Sequence, residues 1–310
     1  SLMDAVDAQL SAAPGESSEN IGRVDHTLAQ EHVDSFYQVG WGLGQLLTSG
    51  SRLESLLGTC ATDANVSNDE PCVADFLDAF APLILRRPLR EGEREFYLEV
   101  YGEHDALNRD GLADMLTVLF TAPHFVYHIE DEGIPIDGRE DLVEVSPYVL
   151  ASRLSYHFWQ SMPDEELMSA AADGRLQTEE GYRDEVERIF NHPRTRETLD
   201  RFFHQWLKLE DLPPLHHSVG SPQFDAFAGT DLPSTQLRDD MMEEVTDFVG
   251  YHIWDRDGNF EDLFTGEESF AKSEELAQLY EITPWVEGAA PTDFPAGQRP
   301  GLLSRAAFLS

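Results

Sequence analysis

Apolar residues recur along this chain at three- and four-residue steps and never settle into a sustained alternation. The pattern therefore predicts helices and argues against a large sheet. Val33, Phe36, Gly40, Leu43 and Leu47 fall on one stripe of a first helix expected to start near Asp25 and to weaken at Ser49-Gly50-Ser51. Val73, Phe76, Phe80 and Leu83 mark a second, which Pro88 stops at or before Arg87. Residues 91–101 make a third, with Phe96 and Tyr97 available for packing. Residues 112–120 make a fourth, carrying Met115, Leu116 and Leu119, until Thr121-Ala122-Pro123 interrupts it.

The second half is punctuated more sharply. Ser146 can cap a helix whose first position is Pro147, where no amide hydrogen is needed. Ala151, Leu154 and Phe158 then form the inward stripe. Pro163-Asp164-Glu165-Glu166 opens the next helix with carboxylates where the dipole favours them, and Gly174 closes it. Thr178 caps another. Leu199, Phe202, Phe203, Trp206 and Leu207 share a face of the next, with Trp206 expected in the core. Residues 212–233 are rich in Pro, Gly and Ser and read as an irregular loop that Phe224 and Phe227 could pin down. Ser234 precedes a long helix with Leu237, Met241, Val245, Phe248 and His252 in register. Shorter elements follow around 260–264, 273–280 and 298–309.

These elements predict an all-α fold: an irregular multi-helix assembly of two packed helical modules with long loops. The expected divisions are a disordered lead-in at 1–24, an N-terminal helical module at 25–132, and a linker at 133–145. A central helical module at 146–281 and the start of a further, truncated module at 282–310 complete the chain.

Charge narrows the possible partners. The chain of 310 residues carries 59 acidic and 21 basic side chains, a formal net charge of −38. No basic run offers a duplex counterion release, so nucleic acid is excluded as a partner, and an anionic membrane surface is disfavoured for the same reason. No apolar run approaches the ~20 residues that span a bilayer. Lys208 and Lys272 are the lysines and every other basic residue is an arginine, a composition suited to salty surroundings. Cys60 and Cys72 flank one flexible, polar segment with no third cysteine to compete. This favours a disulfide worth roughly 3 kcal/mol, and with it an oxidising compartment, over a pair of free thiols.

Several words recur in a recognisable order. Arg86-Arg87-Pro88-Leu89 with Glu93 is followed by Ala122-Pro123-His124-Phe125-Val126-Tyr127 with Glu130. Leu150 to Tyr156 with Trp159, Met162-Pro163-Asp164 and Leu167 come next. His192-Pro193-Arg194, Gln205-Trp206-Leu207, Phe270 to Tyr280 and Arg299-Pro300-Gly301-Leu302-Leu303-Ser304 close the series. This order resembles a family found mainly in planctomycetes and myxobacteria, made of planctomycete-specific and planctomycete cytochrome-associated domains of unknown function. The resemblance implies an exported protein, periplasmic, cell-surface or secreted, and so strengthens the disulfide. It also implies a c-type haem module elsewhere in related polypeptides. This sequence lacks Cys-x-x-Cys-His, so no haem is expected on the chain itself, only on a partner or a missing module. It stops where relatives continue, and is expected to be part of a longer protein. Arginine is usual in relatives where His128 stands, and Lys272-Ser273-Glu274 replaces an asparagine-containing version.

Candidate chemistry is sparse. His124 and His128 are four apart and would share a helical face as metal ligands, but Phe125 stands where a zinc protease needs glutamate. Two ordinary histidines are the simpler reading. Asp255, Asp257, Asn259, Glu261 and Asp262 lack the calcium-loop spacing of Gly and Glu, which leaves turn and cap duty. Arg153 sits in an apolar-striped helix and, with Asp164, Gln205, Glu243 and Glu244, forms the candidate polar cluster. The cluster would be either a structural ion-pair network or a cleft that positions an anionic or carbohydrate group. No serine-nucleophile, phosphate-loop or dinucleotide motif is present, so no catalytic residue is assigned. The expected function is a non-catalytic, exported scaffold or interaction region of a larger, redox-associated protein, bound to a protein partner or to other modules of the full-length chain. The alternative is an enzyme acting on an extracellular polymer or small organic substrate near Arg153, Gln205 and Glu244.

Overall fold

The computed structural model describes residues 30–130, 133–256 and 258–309. The expected lead-in, the first turn near Asp25, and Asp257 lie outside these residues. Among them the chain is mostly helical and divides into two compact units, residues 30–195 and residues 196–309. No helix among the described residues is long and apolar enough to cross a membrane.

The first unit begins with α1 (Gln30–Leu47), α2 (Arg52–Leu57), α3 (Asp69–Leu85), α4 (Glu93–Tyr101), α5 (Arg109–Phe120) and α6 (Pro123–Val126). Helix α1 packs its predicted stripe only in part: Val33 is 51% exposed, Leu43 and Leu47 are partly buried against the core, and the buried positions are Gly40 and Gly44. The reason is backbone proximity to α5: a Cβ on Gly44 would stand 2.5 Å from the Ala113 carbonyl oxygen. On α3 the buried stripe is Val73, Leu77, Ala81 and Ile84, so Leu83 faces outward. Tyr97 is buried on α4 while its neighbour Phe96 is exposed. Leu112, Met115, Leu116 and Leu119 fill the centre of this core. The Cys60–Cys72 disulfide ties the loop after α2 to the first turn of α3, with the two Cα atoms 6.3 Å apart.

The segment read as a linker is an antiparallel hairpin, β1 (Gly133–Ile136) with β2 (Arg139–Val145), turned at Gly138 with φ +77°. Its sequence mixes acids with Gly and Pro too thickly for alternation to be visible. Helix α7 (Pro147–Trp159) starts as the sequence predicts, with the Ser146 hydroxyl accepting from the Val149 amide. Asp164 and Thr178 cap α8 (Glu165–Ala172) and α9 (Glu179–Phe190) in the same way. Ala151, Leu154, Leu167 and Ile189 join these helices in a second core of the first unit.

Helix α10 (Pro193–Trp206) follows. Of its aromatic face only Phe203 is buried; Phe202 and Trp206 are exposed and stack on each other at 5.7 Å. The loop at 212–233 contains α11 (Pro222–Ala228), capped by Ser221, yet Phe227 is 89% exposed and pins nothing. Helix α12 (Leu237–Gly250) carries the predicted register intact: Leu237, Met241, Val245 and Phe248 are buried, and a π-helical turn (Tyr251–Asp255) continues it to a buried His252. Then come α13 (Asp262–Thr265), α14 (Glu274–Leu279), capped by Ser273, and α15 (Ala306–Leu309). Between them lies a two-residue ladder, β3 (Glu268–Ser269) with β4 (Thr292–Asp293). Phe270, Leu276, Phe294 and Leu302 complete this core, so residues 282–309 pack into the second unit.

Candidate functional site

In the first unit, a pocket of about 220 Å³ opens where the end of α3, the segment after α6 and one face of α7 meet. Three residues singled out separately from sequence, His124, His128 and Arg153, line it. Its construction starts at Arg86, which caps α3 in the left-handed region (φ 56°). Such a backbone costs a non-glycine residue roughly 1 kcal/mol. The side chain offsets that cost: only 6% exposed, its guanidinium donates to the carbonyls of His124, Phe125 (3.3 Å) and Tyr127 (2.9 Å). These are carbonyls that a four-residue helix leaves without partners. The guanidinium also stands 5.6 Å from the centroid of the Tyr156 ring. No carboxylate pairs with it among the described residues. Burial lowers its pKa, with Tyr156 opposing.

The neighbouring cations are neutralised. Arg87 holds Glu93 with two 2.8 Å hydrogen bonds, which bring that carboxyl down to about 2. Arg153 grips Glu130 at 2.7 and 2.5 Å, with both side chains about half exposed. The same hydrogen bonds lower the Glu130 pKa and raise that of Arg153. His128 meets the Tyr156 ring edge-on at 4.1 Å, and burial followed by Arg86 pushes its pKa down. The two histidines do not share a helical face, because α6 ends at Val126 and Tyr127 is already extended. Among the described residues no group of three His, Cys, Asp or Glu side chains could hold a metal ion.

The candidate polar cluster separates into ion pairs with other partners. Arg153 pairs with Glu130, as above. Asp164 caps α8 and accepts from Arg188 at 2.8 and 3.0 Å. Glu243 accepts from Lys272 at 2.7 Å. Gln205 is half-buried and makes no side-chain hydrogen bond among the described residues. Glu244 turns the opposite way from Glu243, into the core of the second unit. There it meets Arg305 at 3.3 Å, both side chains at 0% exposure. Tyr280 donates to Glu244 at 2.5 Å and Ser269 at 3.4 Å, while the Ala306 amide donates back to the Tyr280 hydroxyl at 2.8 Å. Phe248 and Phe294 flank the Arg305 guanidinium at 4.3 and 4.9 Å. Burial raises the Glu244 carboxyl against the pull of Arg305, and lifts Tyr280 far above its usual value. Beside this group, His252 lies 3.3 Å from Glu268, which also pairs with Arg256.

A wider cleft of about 640 Å³ in the second unit has Tyr251, Trp254, Phe270 and Trp285 on its walls, with Asp200, Asp247 and Glu287 among them. Burial raises the carboxyls of Asp200 and Asp247. Neither Gln205 nor Glu244 lines this cleft or the pocket at Arg153. In the acidic loop, the Asp262 carboxylate accepts from the Asn259 amide and the Asn259 side chain from the Glu261 amide, which is turn work.

Arg86 and Arg305 were not singled out from sequence. In sequence Arg86 stands at a helix stop and in the first word of the family resemblance, neither of which shows its place in the pocket. Arg305, within Gly-Leu-Leu-Ser-Arg-Ala-Ala-Phe, carried one usable signal, a lone charge in an otherwise apolar run.

An all-α chain whose polar core residues are spent in internal pairs is the class these features define. Residues 72–130 match PSD5, a protein of unknown function (DUF1595), and residues 145–282 match PSD4, a protein of unknown function (DUF1592). The chain carries these two planctomycete-specific domains. No curated protein and no solved structure matches it.

Proposed function

We propose that this chain is a non-catalytic, extracytoplasmic helical scaffold or interaction region of a larger protein, working beside a redox partner that carries the haem. The observation that supports it most is the fate of the ionisable residues. Arg153, Asp164, Glu243 and Glu244 stand in separate ion pairs and not in one cluster, and the most buried of these, Glu244 with Arg305 and Tyr280, is closed to solvent and saturated with internal partners. A catalytic group needs access to substrate and a proton to exchange. The Cys60–Cys72 bridge supports the location, since such bonds persist in oxidising compartments.

Calorimetric titration of the chain with the separately produced haem module of a related polypeptide tests the role. Saturable binding without turnover is the expected result, and turnover of any substrate by the purified chain would overturn it. Location is tested on protein taken from its native cells with thiols blocked at lysis, where an intact mass showing two blocked cysteines rules out export. The enzyme reading draws its support from the pocket at Arg153, which Gln205 and Glu244 do not line.

A further inference from the structure

We infer that the pocket between α3 and α7 is a binding site for a small organic carboxylate, with Arg86 supplying a fixed positive charge and Arg153 a movable fork. The inference goes beyond the scaffold reading and stands independently of it.

The argument begins with charge. Acids outnumber bases almost threefold in this sequence, 59 to 21, so a buried arginine has many carboxylates to choose from. Arg87 beside it takes Glu93, and Arg153 takes Glu130. Arg86, only 6% exposed, takes none among the described residues. Its hydrogen bonds end on backbone carbonyls, which solvate the guanidinium without cancelling its charge. A buried cation without a counter-ion is costly, and an anion entering the adjoining pocket would relieve that cost. With Arg87 facing Glu93 and Arg153 facing Glu130, Arg86 is the lining arginine that no described carboxylate balances, inside a chain of net charge −38.

The walls specify what the anion is attached to. Leu85, Ile129 and Val149 line the pocket with apolar side chains, and Tyr148 and Tyr156 add aromatic ones. A fully hydrated inorganic oxyanion gains nothing from such walls, whereas a carboxylate on a compact apolar or aromatic body does. The volume of about 220 Å³ suits a ligand of that size rather than a polymer.

Arg153 supplies the directional contact. Its planar fork already holds one carboxylate side-on, that of Glu130, and both partners are about half exposed at the rim. Exposed pairs of this kind are weak and exchange partners readily. A ligand carboxylate can therefore replace Glu130 on the same fork, and Ser152 and Tyr148 bring hydroxyls to the same pocket.

The test uses the whole chain and calorimetric titration with sodium benzoate, inorganic phosphate and benzylammonium chloride at low ionic strength. Benzoate is expected to saturate one site, phosphate to bind more weakly, and benzylammonium to give no saturable heat. Arg153→Gln should weaken benzoate about tenfold, the loss of one hydrogen-bonded charge contact. Glu130→Gln removes the internal competitor and should tighten it about threefold. Both positions are at the surface, and an unchanged circular dichroism spectrum confirms folding before each titration. Absence of saturable benzoate binding in both wild type and Glu130→Gln overturns the inference, as does an affinity unmoved by either variant. Phosphate binding as tightly as benzoate overturns the assignment to an organic carboxylate.

Discussion

Glu244→Gln isolates the buried charge pair with almost no change of volume. It leaves Arg305, at 0% exposure, inside the core of the second unit with its counter-charge gone. Breaking such a pair from one side costs about 3–5 kcal/mol. At roughly 4 °C of midpoint per kcal/mol for a folding unit of this size, the melting temperature of that unit should fall by about 12–20 °C. Tyr280→Phe, which removes one hydrogen bond to the carboxylate, should cost less, about 1.5–3 kcal/mol. Replacing both charges by apolar groups, Glu244→Leu with Arg305→Met, should recover much of the loss, because the penalty belongs to the unpaired ion and not to the missing pair. Urea unfolding at pH 7 followed by tryptophan fluorescence reads all four proteins. A cost below about 1 kcal/mol for Glu244→Gln would mean that the carboxyl is already neutral when folded, and the ion-pair account would fail. A double variant no better than the worse single one would refute the desolvation argument separately.

Glu93, held down to about 2 by Arg87, contributes stability that is present above the ordinary carboxylate value of 4.5 and is lost as pH falls toward 2. Glu93→Gln should flatten that part of the acid-unfolding profile. Gly44→Ala places a methyl group 2.5 Å from the Ala113 carbonyl and 2.9 Å from the Thr117 hydroxyl, so α1 must move off α5. Denaturant titration should show a loss of about 1–3 kcal/mol. With a net charge of −38, thermal unfolding should shift upward as salt is raised from low concentration. Melting curves that superimpose across salt would contradict self-repulsion as a brake on stability.

Much of the fold could be read in advance where a cap and a stripe agree. Ser146-Pro147, Asp164, Thr178 and Ser273 all cap the helices they precede, and Leu237 to Phe248 hold their register. Periodicity misled where large residues lie on a face that nothing covers. Val33, Leu83, Phe202 and Phe227 are apolar but exposed; on α1, which carries Val33, the closest packing is made where side chains are missing, at Gly40 and Gly44. The hairpin at 133–145 was invisible because its strands do not alternate. At the candidate site, the sequence yielded His124, His128 and Arg153 as separate suspicions and paired Arg153 with the wrong acids. A salt bridge between residues 23 positions apart, such as Arg153 with Glu130, leaves no periodic trace. Arg86 was hidden by its neighbour Pro88, which explained the helix end so fully that the arginine's own job went unasked.

The placement of Arg305 has a practical corollary for anyone trimming this protein. The span matched to DUF1592 ends at residue 282, yet the cation that balances Glu244, and the Phe294 ring against it, come afterwards. An excised fragment bounded at that point would strand an acid in grease and open a hole beside Tyr280. The packed unit runs past the matched span, and residues 283–309 act as its plug.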